Sequence, residues 1–190
     1  MRDEYLKYVL AAAGIVVLTR ILAVFLRPKA YGIPIYNQVY TLTRSFWKSY
    51  DNRKLEEIDM VVIHHSATES GSPEAYAHYH VHQNGWPGIG YHYVIGKDGE
   101  IVQTNRLSTV SYHTSGQNTR SIGICLTGNY DTQSPPEAQL DACVRLIKYL
   151  EKRLGQKLDI SGHNQFSSKS CPGSKVSISG VRARVNNFEA

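Results

Sequence analysis

The sequence predicts a mixed α/β domain, a central β-sheet flanked by helices and preceded by an N-terminal hydrophobic helix. Three observations carry this. Short apolar runs such as Met60-Val61-Val62-Ile63 end in polar residues, the pattern of a buried strand emerging at its end. Leu140, Val144, Ile147, Leu150 and Leu154 recur at helical spacing. Tyr8–Leu26 is almost wholly apolar and close to the roughly 20 residues that a membrane-crossing helix needs.

Within Tyr8–Leu26 the one cation is Arg20, which lies far enough from the centre to snorkel toward Arg27 and Lys29. The expectation is a single anchor. An uncleaved signal-like segment and a helix packed on a partner protein are the alternatives. Residues 27–57 contain Pro28, Gly32 and Pro34 and then an aromatic, basic run through Trp47 and Tyr50, which reads as a linker. The domains are therefore expected as 1–57, anchor and linker, and 58–190, the folded unit.

The folded unit opens with the Met60–Ile63 strand, running into His64-His65-Ser66. Ser72-Pro73 starts a helix, Pro being tolerated at the first helical position, and Asn84-Gly85 stops it. Gly88–Ile95 and Glu100–Gln103 are strands joined through Lys97-Asp98-Gly99, a hairpin signal. Ser121–Thr127 is another strand. After Pro135-Pro136 comes the long periodic helix, capped by Gly155. Ile160 leads into a loop, and a short helix closes the chain. Alternating strands and helices of this kind build a sheet with helices packed on it.

Charge excludes one class of partner. Residues 1–57 hold nine Lys/Arg against five Asp/Glu, and the rest of the chain is nearly neutral, so no basic stripe marks a nucleic-acid-binding face. Cys125, Cys143 and Cys171 are too few for a disulfide scaffold. Cys125 and Cys143 fall on apolar stretches and read as small buried hydrophobes. His78 and His82 share a helix face at i and i+4, but without a third donor nearby they read as ordinary helix residues, with His80 near the cleft.

The chemistry concentrates in Gly162–Gly173, where a loop rich in Gly, Ser, Asn and Pro carries His163, Lys169 and Cys171. His64, at the end of a buried strand, is the candidate third donor. Two imidazoles and one thiolate leave a fourth position free, as catalytic zinc sites do. The residues alone leave a structural role for these side chains open.

Four segments then carry a resemblance. Val62–Thr68, Gly85–Tyr93, Ser121–Leu126 and Gly162–Gly173, in this order and spacing, resemble the zinc-dependent N-acetylmuramoyl-L-alanine amidases of the phage-lysozyme type, relatives of the peptidoglycan recognition proteins. The resemblance covers roughly residues 58–175. It implies that His64, His163 and Cys171 bind Zn2+ and that Tyr91 and Lys169 are catalytic. It also implies that His113 lines the substrate cleft, and that peptidoglycan is the partner. The implied reaction is hydrolysis, by a zinc-activated water, of the amide between N-acetylmuramic acid and L-alanine. A non-catalytic muropeptide-binding module is the alternative. A peptidoglycan substrate places residues 58–190 in the periplasm or cell wall, held by the membrane anchor; a phage particle or a secreted protein is the other expectation.

Overall fold

The computed structural model describes residues 28–189. Seven strands form one mixed sheet: β1 (Lys29–Ala30), β2 (Ile33–Asn37), β3 (Met60–His65), β4 (Tyr93–Ile95), β5 (Ile101–Gln103), β6 (Ser121–Leu126) and β7 (Asp159–Gly162). Their order is β1-β2-β5-β4-β6-β3-β7. β3 lies between β6 and β7, parallel to both, while β4 and β5 form the antiparallel hairpin expected from Asp98-Gly99.

Among the described residues three α-helices cover the sheet: α1 (Pro73–His82), α2 (Glu137–Leu154) and α3 (Ile178–Asn186). The Ser72 side chain caps α1 by accepting from the Ala75 N–H, and Gly155 ends α2 in the left-handed conformation with φ of 70°. The period-2 alternation of the strands sorts side chains onto two faces. On one face Val61, Ile63, Ile122 and Ile124 pack against Val144, Ile147 and Leu150 of α2 and Val181 and Val185 of α3. On the other, Val94 and Cys125 pack against Tyr76 and Ala77 of α1. β3, paired on both sides by β6 and β7, is buried along its whole length.

Two expectations are corrected. The stretch expected as a linker instead supplies β1 and β2, with β2 parallel to β5. Arg53, from the same stretch, is buried and donates from Nε to the Leu107 carbonyl and from Nη1 to those of Asn118, Thr119 and Ser121. Pro28, Gly32 and Pro34 accordingly punctuate a short hairpin rather than a tether. Second, the strand expected over Gly88–Ile95 begins only at Tyr93. Upstream of it the ladder is replaced by side-chain donors: Tyr50 Oη donates to the Gly88 and Ile89 carbonyls, and Asn105 Nδ2 to those of Ile89 and Tyr91.

The expected hydrophobic helix and anchor over residues 8–26 fall outside the described residues. Among those described, no helix is long and apolar enough to cross a membrane.

Candidate metal centre

Parallel strands bring the site together. His64 is near the C-terminal end of β3, on the α1 face, its Cα in register with Cys125 of β6. β7 runs alongside β3 and ends at Gly162, so that His163 begins the next turn beside His64. Sites at the carboxyl ends of parallel strands are the rule in open α/β sheets.

The loop then folds back on itself. The Asn164 N–H donates to the Cys171 carbonyl at 2.6 Å, closing the loop, and the Asp131 carboxylate accepts from Ser170 Oγ at 2.6 Å and the Ser174 N–H at 2.9 Å. Gly173 has φ of 98°, and a Cβ there would lie 2.5 Å from the Tyr130 carbonyl carbon, so glycine is required on both counts. Cys171 is thereby delivered next to β3, where its sulfur accepts from the His65 N–H at 3.4 Å.

The donor atoms of His64, His163 and Cys171 all lie within 4.8 Å of one another, the one grouping of three or more such side chains among the described residues. Cys171 Sγ is 3.6 Å from His64 Nδ1, and the His64 and His163 rings are 4.6 Å apart. The chemistry of this set fits zinc. Burial holds the imidazole pKa of His64 well below its ordinary value and lowers that of His163, which keeps both neutral, as metal ligands must be. Desolvation pushes the Cys171 thiol up to about 11, against the lowering influence of Lys169. A divalent cation held by the three donors would supply the charge that draws off this proton.

These donors sit in a cleft of about 910 Å³. Tyr76, Tyr79, Trp86 and Tyr112 line it, as do Tyr91, His113 and Lys169. The Tyr91 ring is 5.3 Å from that of His64, and its phenol is held well above its usual pKa by burial and then by Cys125 and Cys171. Tyr91 is therefore a neutral hydrogen-bond donor at physiological pH. Lys169 is exposed at the rim.

The remaining polar candidates separate from the donors. His65 also borders the cleft, but its Nδ1 is engaged in accepting from the Tyr130 N–H at 3.1 Å. His80 lines the cleft and accepts from the Gly90 N–H, bracing the turn that carries Trp86. His78 and His82 lie against each other with tilted rings, 4.3 Å apart, and join no donor triad among the described residues. All three cysteines are free and buried. Sequence reasoning missed the aromatic lining and the bracing by Asp131 and Arg53. Spaced aromatics without a motif give no local signal, and a lone acid or a linker arginine gives none either.

The family described as N-acetylmuramoyl-L-alanine amidase matches residues 54–174, well over half of the chain. The chain belongs to that family. Its amidase domain is similar to peptidoglycan-recognition protein SC2 of Drosophila simulans, 32% identical over 130 residues that make up 63% of this chain and 70% of that protein. The N-acetylmuramoyl-L-alanine amidase of Sus scrofa is 34% identical over 98 residues, half of this chain but 16% of that much longer protein. Among solved structures, the N-acetylmuramoyl-L-alanine amidase LysC from Clostridium intestinale superposes with a TM-score of 0.68 at 26% identity, over 80% of this chain and 97% of that one.

Proposed function

We propose that this amidase-family domain hydrolyses the amide joining the lactyl group of N-acetylmuramic acid to L-alanine of peptidoglycan stem peptides, with zinc held by His64, His163 and Cys171. One observation carries the reading: a buried His-His-Cys donor set within 4.8 Å lies in the same cleft as Tyr91 and Lys169. A cleft that only bound muropeptides has no need of that full set.

Bound to these donors, zinc supplies a Lewis acid and lowers the pKa of water from about 15.7 to near 7. The chain's own groups supply the rest. The aromatic lining orients the substrate and excludes water from its apolar faces. As the water oxygen adds to the amide carbon, negative charge gathers on the carbonyl oxygen, and the Lys169 ammonium at the rim stabilises it. Tyr91, kept protonated, donates a hydrogen bond to the oxygen atoms at the reacting centre and orients them. The C–N bond then breaks, releasing a lactyl carboxylate and the free amino group of L-alanine, which takes up a proton.

The test is zinc content together with release of stem peptides from purified cell wall. Zinc near one per chain, with release abolished by a chelator and restored by zinc, is the expected result. Peptide binding without release identifies a binding module instead.

We propose further that residues 8–26 anchor the domain at a membrane, exposing it to the periplasm or wall. The apolar composition of that stretch supports this, and recovery of the full chain in the soluble fraction overturns it.

A further inference from the structure

We propose that His113 is a positioning residue which, as the hydrogen-bond acceptor for His64 Nε2–H, fixes the His64 tautomer so that Nδ1 is the metal donor. This rests on the zinc reading above for its consequence, though not for its geometry.

His113 is buried, and both its ring nitrogens are engaged within the protein. Nε2 lies 3.4 Å from the Ser121 carbonyl oxygen and 3.3 Å from Ser121 Oγ. The carbonyl only accepts, and Ser121 Oγ spends its own proton on the Gln117 carbonyl at 2.6 Å. His113 Nε2 must therefore carry the proton. No carboxylate is among the partners of this buried ring, and an unpaired buried charge is costly, so the ring is neutral and Nδ1 carries a lone pair.

That lone pair faces His64. His113 Nδ1 is 3.2 Å from His64 Nε2, and the two rings meet edge to face. Two lone pairs at this separation repel, so His64 Nε2 bears the proton and donates it. Thr114 Oγ1, 3.4 Å from His64 Nε2 and 3.0 Å from His113 Nδ1, fits the same assignment: it accepts from the first and donates to the second. Every arrangement of protons that satisfies these atoms leaves the His64 lone pair on Nδ1. This is the nitrogen 3.6 Å from Cys171 Sγ, inside the donor triangle.

The backbone is shaped around this contact. A Cβ on Gly123 of β6 would lie 2.6 Å from His113 Cγ, so the strand leaves the imidazole its space. Asn118 Oδ1 accepts from the N–H groups of both His113 and Thr114, at 3.1 and 2.8 Å, fixing the turn that presents the ring. Arg53 donates to the same Ser121 carbonyl that receives His113 Nε2–H. With neither ring nitrogen directed at the cleft, a hydrogen bond from His113 to substrate is displaced by its bond to His64. The ring itself still forms part of the cleft lining.

Two measurements on the full chain test this. In 15N-labelled wild type, with or without zinc, His64 should appear as the Nε2–H tautomer; a His64 proton on Nδ1 in the zinc-free protein overturns the proposal. In zinc competition against a chelating dye, His113→Leu, which removes the acceptor, should weaken binding by about 10–100-fold. His113→Asn keeps an acceptor near the Nδ1 position and should stay within a few fold of wild type, whereas equal weakening in both variants overturns the acceptor role. A wild-type chain that takes up no zinc defeats the proposed metal function and leaves the tautomer measurement standing on its own.

Discussion

Arg53 Nη1 lies 2.6 Å from the carbonyl oxygen of Ser121, tying a residue just outside the family-matched region to the first residue of β6. Around it Arg53 also reaches Leu107, Asn118 and Thr119, so one guanidinium satisfies four carbonyls of the segment that carries His113. Its pKa is lowered to about 10 by burial, yet it remains charged at neutral pH.

Removing that group strands buried acceptors. Arg53→Ala should cost about 3 kcal/mol or more, since hydrogen bonds to charged groups are each worth roughly 1.5–3 kcal/mol. In thermal melts this corresponds to about 6–12 °C for a domain of this size. Arg53→Lys should recover only part of it, because an ammonium cannot reproduce the planar fork.

Tyr91→Phe keeps the ring and deletes the donor. Loss of one donor at a developing oxyanion costs about 10²–10³ in kcat. Turnover on isolated muropeptides should fall by that amount, with zinc content unchanged. Full turnover in the variant removes Tyr91 from the mechanism.

Zinc uptake should release between one and two protons per ion at pH 7.5, one from the Cys171 thiol and the larger part of another from a bound water whose pKa falls near 7. His64 and His163 are held neutral before the metal arrives, while the Cys171 thiol, near 11, is not. Calorimetric titration in buffers of different ionisation enthalpy counts the protons directly. Release of less than one means that Cys171 is not a ligand as thiolate.

Acid should destabilise the zinc-free protein beginning near pH 6.5. His80 is buried with its pKa lowered to about 4, and that of His92 is well below the usual value. Between about pH 6.5 and 4 the unfolded chain binds protons that the folded chain refuses, so stability rises with pH there and is lost as pH falls. Each such histidine contributes up to roughly 1.4 kcal/mol per pH unit. Urea midpoints at pH 7.5 and 5.0 measure the difference, and His80→Gln should reduce it.

How much of this was legible in the sequence depended on whether the signal was local. β3 and β6 were readable because each is a continuous apolar run, and α2 because Leu140 to Leu154 keep one period. His64, His163 and Cys171 were readable as candidate donors because each sits at or near a polar loop, though their convergence needed the parallel β3–β7 pairing. The β1–β2 segment was not readable. Its pairing partner β5 lies about 65 residues downstream, and Pro34 masks five residues of strand. Nor was the place of His113 behind His64, since a histidine in a turn looks the same whether it faces the cleft or another imidazole.

Because the sheet begins at Lys29, and the Pro28 carbonyl is already bonded to the Ile35 N–H, the fold claims the chain almost as soon as the apolar stretch ends at Leu26. A cut back to the family-matched region would therefore remove no mere tether: it would strip β2 from the sheet and leave β5 with a bare, unpaired edge.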